Sequence, residues 1–77
     1  MRREEAERLL YALEERVYGD VMDAIRASSL PAKEKRALID GAMEVLCDAE
    51  VALEGIPFNW DAASRQIDAI AETVKTE

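Results

Sequence analysis

Apolar residues recur along the first third of the chain at helical spacing. Ala6, Leu9, Leu10, Leu13, Val17, Val21 and Ala24 fall on one line of a helical wheel drawn at about 100° per residue. Tyr11, Tyr18, Met22 and Ile25 form a second line beside it. Together the lines cover roughly 200° of the helix, against about 100° for an ordinary surface helix. The spacing predicts a helix over 2–27 that must be covered from more than one side. Glu4, Glu5 and Glu7 in its first turns suit the helix dipole. Gly19 falls on its polar side.

Ser28, Ser29, Leu30 and Pro31 break the pattern, because Pro31 drives Leu30 out of the α region and the serines favour a turn. A second helix is expected over about 32–54. Its core line is Leu38, Ala42, Val45, Leu46, Ala49 and Leu53, with Ile39 and Met43 alongside. Ala42 and Ala49 permit close approach by a neighbouring helix. Cys47 reads as a partly buried thiol at the edge of this stripe. Gly55, Ile56 and Pro57 form a helix stop: a left-handed glycine, an apolar residue to pack back, and a proline that forbids continuation. Asn59 then caps a third helix over about 59–75, whose seam is Trp60, Ala63, Ile67, Ile70 and Val74. The short connections predict an all-α fold, a three-helix antiparallel bundle forming a single domain over 1–77. Phe58 and Trp60 are expected to plug one end.

Composition adds a constraint. A chain of 77 residues buries only about 60% of its unfolded surface and needs further stabilisation. Cys47 is the single cysteine and histidine is absent, so neither an internal disulfide nor a zinc site is available. Oligomerisation remains, and the wide first helix suits it. The line of Tyr11, Tyr18, Met22 and Ile25 is left half covered, so a homodimer through that helix is expected, with this strip at its contact and Glu7 and Glu14 at the rim.

The net charge of −7 argues against direct nucleic acid binding and against an anionic membrane surface, and it permits a basic protein partner. No recognition helix has a basic face. No run is long enough to span a bilayer, and the opening Met1, Arg2, Arg3, Glu4, Glu5 does not resemble a signal peptide. A cytoplasmic protein is the expectation.

Charge is distributed unevenly. From Ala37 to Ser64 there is no Lys or Arg, while Asp40, Glu44, Asp48, Glu50, Glu54 and Asp61 fall in that stretch. Asp40, Glu44 and Asp48 follow at i, i+4, which repels on an isolated helix. Lys33, Lys35 and Arg36 stand at the end of the helix where the dipole disfavours cations. One explanation is complementation across a helical hairpin, with Arg2 and Arg3 near Glu50 and Glu54, and Asp20 and Asp23 near Lys33 and Arg36. The other is an acidic ridge, Asp40, Glu44 and Asp48, offered to a basic protein. A calcium site is disfavoured, since a straight helix cannot wrap the cation and no DxDxDG loop is present.

These features predict a small acidic protein-binding module, regulatory or inhibitory, acting through the ridge and the tyrosine strip. Neither an enzyme nor a cofactor is expected. The rival readings are an acidic nucleic-acid mimic of the kind phages encode, and a structural subunit of a larger assembly.

Overall fold

The computed structural model describes residues 2–75, and every regular element among them is helical. Helix α1 occupies 3–27 and has three parts: α-helical over Arg3–Glu15, π-helical over Arg16–Val21 and α-helical again over Met22–Ala27. Helix α2 occupies 32–54, α-helical over Ala32–Ala49 and tightened to a 3-10 turn over Glu50–Glu54. Helix α3 is Trp60–Lys75.

Both helix stops work through the residues that signalled them. The Ser28 hydroxyl donates to the Ile25 carbonyl, 2.7 Å, where α1 ends. At the end of α2, Gly55 takes a φ of 84°. Its N–H reaches the Ala52 carbonyl and the Ile56 N–H reaches Val51. This pair of bonds is the Schellman arrangement, which satisfies the last carbonyls of a helix. Asn59 Oδ1 accepts the Ala62 N–H at 3.0 Å and so caps α3.

One core joins the three helices. From α1 it takes Leu10, Leu13, Val17, Val21, Met22 and Ile25; from α2, Ala42, Val45, Leu46 and Ala49; from α3, Ala63, Ile67 and Val74. No polar or charged side chain among the described residues is buried in it. The Arg3–Glu15 part of α1 lies against Glu50–Glu54, and the Met22–Ala27 part lies against Ala32–Ala49 and α3. An ion pair between Arg16 and Asp68 ties α1 to α3. The molecule measures 41 × 17 × 16 Å. That length is what α1 alone requires, since 25 residues at 1.5 Å each extend about 37 Å. No helix among the described residues is long and apolar enough to cross a membrane.

The second half of α1 departs from the sequence expectation. Met22 and Ile25, expected on a half-covered strip, are 3% and 0% exposed. Ala24, expected on the core line, is exposed. The π segment is the reason. The Met22 N–H bonds to the Val17 carbonyl, five residues back instead of four. One extra residue is accommodated in that turn, so each later side chain lags by about 100° and takes its predecessor's place on the wheel. Ile25 thereby comes under the line of Leu10, Leu13 and Val17, and Ala24 rotates outward.

Cys47 also differs, being exposed and not partly buried. On a regular helix it stands about 150° from the middle of the line formed by Ala42, Val45, Leu46 and Ala49.

Candidate functional site

Helix α2 buries one stripe, and its opposite side carries the acids. Asp40, Glu44 and Asp48 are all exposed. None of them forms an ion pair or a side-chain hydrogen bond among the described residues, where the ion pairs are Arg3 with Glu7 and Arg16 with Asp68. The cross-helix pairs expected from the sequence are present only as neighbourhood. Arg3 shares a surface depression with Glu50 and Glu54, but its guanidinium bonds to Glu7 at 3.1 Å. Asp20 and Asp23 make no ion pair with Lys33 or Arg36, and Lys35 Nζ instead donates to the Arg26 carbonyl at 3.1 Å. Charge complementation inside the bundle therefore leaves the ridge untouched.

The ridge borders a groove along the seam of α2 and α3. One stretch of it, about 350 Å³, is lined by Gly41, Glu44, Val45, Asp48, Ala69 and Ile70, with Gln66 opposite the acids. The next stretch, about 300 Å³, shares Val45, Asp48 and Gln66 with the first and continues over Ala62 to Pro57 and Phe58. The groove forms because small residues face each other there. Gly41 lies across from Ile70, whose Cδ1 would sit 3.7 Å from a Cβ at position 41. Asp40, one turn back, is not among the residues lining these two stretches. The acidic ridge thus divides: Glu44 and Asp48 form the lip of the groove, and Asp40 stands beyond it.

The groove was not legible in the sequence. Ile70 reads as part of the α3 core seam, yet it is only partly buried. Ala62, Gln66 and Ala69 carry no individual signal. The available clue was the density of small residues at 41, 62 and 69 next to a stretch without cations.

Tyr11 and Tyr18 stand on the outward side of α1, 64% and 49% exposed. Met22 and Ile25 do not join them, because the π turn carries both into the core; the expected strip is reduced to two tyrosines. The Glu15 carboxylate raises the Tyr11 pKa above the ordinary value, first by accepting its hydroxyl hydrogen bond and then by repelling a phenolate, with Glu14 adding to the repulsion. No hydrogen bond or ring contact among the described residues joins these tyrosines to the ridge on α2.

Phe58 and Trp60 pack edge to face, with ring centroids 4.9 Å apart at 77°, and both lie partly buried against the core. The Trp60 Nε1–H is buried without a partner. The two rings also line the far end of the groove with Ile56 and Pro57.

No family model, curated protein or solved structure matches the chain.

Proposed function

We propose that this chain is a small acidic protein-binding module, regulatory or inhibitory, that presents the outer face of α2 to a basic protein surface. The observation that carries this reading is the exposure of Asp40, Glu44 and Asp48, none of which forms an ion pair among the described residues. Three carboxylates in a row at i, i+4 oppose helix formation. Their placement is explained if a partner supplies the countercharge. The antiparallel course of the bundle that frames this face is supported by its contacts: the start of α1 lies against the end of α2, and the end of α1 against the body of α2.

The test is a triple reversal, Asp40→Lys, Glu44→Lys and Asp48→Lys. Exposed charges contribute about 0–1 kcal/mol each, so the variant should melt as the wild type does. Proteins captured by the wild type from source lysate should be lost. A folded triple variant that retains them removes the acidic face from the function. Capture of a nucleic-acid enzyme would favour the mimic, and capture of an assembly component the structural subunit.

A homodimer through α1 is the second reading, favoured by the exposure of Tyr11 and Tyr18 on one side of that helix. With Met22 and Ile25 buried, its apolar contact is smaller than the sequence implied.

A further inference from the structure

We infer that the α2/α3 groove receives a basic amphipathic helix of a partner protein, its aliphatic anchors on Val45 and Ile70 and its Lys or Arg side chains at the Glu44 and Asp48 lip. This rests on the reading of the acidic face as a partner surface, and it narrows that face to one site with one class of occupant.

Three features select the occupant. First is the floor: Gly41, Val45, Ala62 and Ala69 are small or aliphatic, so another backbone can come close and bury its own larger side chains there. Second is the lip: Glu44 and Asp48 are one helical turn apart, so cations at i, i+4 of a facing helix meet both. Residues 37–64 contain no Lys or Arg, so no cation from α2 beyond its first turns, nor from the first turn of α3, lies beside that lip. Third is length. From Gly41 to Ala52, which lines the Trp60 end, the groove follows α2 for about 16 Å, or roughly three turns of a docked helix. Short amphipathic helices seated in apolar grooves with anchors at i and i+4 are a recurrent recognition mode. The acidic lip turns away nucleic acid and anionic lipid by the same electrostatics.

The far end of the groove provides the readout. Trp60 is the single tryptophan of the chain and lines that end with Phe58. A docked helix that reaches it changes the polarity around the indole.

The probe is a synthetic helical peptide with leucines at i and i+4 flanked by lysines. A second peptide keeps the lysines and replaces both leucines by serine. The first should shift Trp60 fluorescence, with amide shifts by NMR concentrated at Gly41, Val45, Ala62, Gln66 and Ala69. The serine peptide should bind at least about tenfold more weakly. Two kinds of variant then separate groove from charge. Ala69→Leu fills the groove at an exposed position and leaves every charge in place. Glu44→Gln with Asp48→Gln removes charge and leaves the groove open. Both should lose about tenfold or more in affinity, with unchanged melts. If only the charge variant weakens binding, the acidic surface stands and the groove proposal is overturned. If neither does, both readings fail. Should Ala69→Leu not fold, Ala62→Leu repeats the arm. The amide map on wild type decides independently: shifts confined to Tyr11 and Tyr18 would place the peptide on α1 and reject the groove.

Discussion

Gly19 and Gly55 are both glycines in or beside helices, and the backbone treats them oppositely. Gly19 lies in the π segment without a positive φ, and a Cβ there would meet nothing within 4 Å. Gly19→Ala should therefore stabilise by about 0.5–1 kcal/mol, through lower backbone entropy of the unfolded chain. Gly55 holds its φ of 84° to close α2, so Gly55→Ala should destabilise by about 1 kcal/mol. Thermal melts of the two variants should move in opposite directions; a shared direction would refute the assignment. Tyr11 gives a pH prediction. Its phenol is held neutral by Glu15, so its folded pKa lies above the unfolded value of about 10. The resulting contribution to stability is present below that unfolded value and is lost as pH rises through the folded one. In a Tyr18→Phe background, absorbance at 295 nm should show Tyr11 titrating late, and Glu15→Gln should bring it earlier. No change on removing Glu15 would mean that the carboxylate does not act on the ring.

At the level of the element, the three helices and their ends were legible. Pro31, Gly55 and Asn59 impose local backbone constraints that no tertiary contact has to supply, and they mark where the helices break. The phase within α1 was not legible. A wheel drawn at one angle per residue assumes a uniform helix, and the π turn at Arg16–Val21 breaks that assumption in the middle. Before Val17, Ala6, Leu10 and Leu13 fall where the wheel puts them, while Leu9, on the edge of that line, is 40% exposed; beyond the π segment Met22, Ala24 and Ile25 are rotated, and Val21 within it stays buried. This also explains why the apolar arc looked too wide: two narrower stripes, offset by one residue, were superimposed. The offset makes a deletion informative. Removing Gly19 should convert the wide turn to a regular one and leave Met22 and Ile25 facing the core, with stability within about 1 kcal/mol of wild type. Removing Met43, also an exposed position, splits the line of Ala42, Val45, Leu46 and Ala49 within a regular helix. That deletion should abolish the cooperative melt. If both behave alike, the π turn does not absorb an extra residue.

For the whole molecule, the question is how a core built from three helices of this size is made sufficient. Its largest fully buried side chains are Ile25, Ile67 and Val17, and Ile25 is there because of the π turn. Ile25→Ala should cost about 2–5 kcal/mol, most of the stability of a small domain, and urea melts will measure it. Association through α1 is tested at the same scale. Light scattering at high micromolar concentration should give twice the chain mass, and Tyr11→Glu with Tyr18→Glu should give a folded monomer. A wild-type monomer would leave the tyrosines to another protein. The cation-free wall of the groove has one more consequence, in how the molecule can be cut. Trypsin cleaves after Lys and Arg, and between Arg36 and Arg65 it finds neither. Complete digestion therefore releases 37–65 in one piece, carrying the acidic lip, the α2 stop and the first turn of α3 together. A partner cross-linked anywhere along that wall will be recovered on a single peptide.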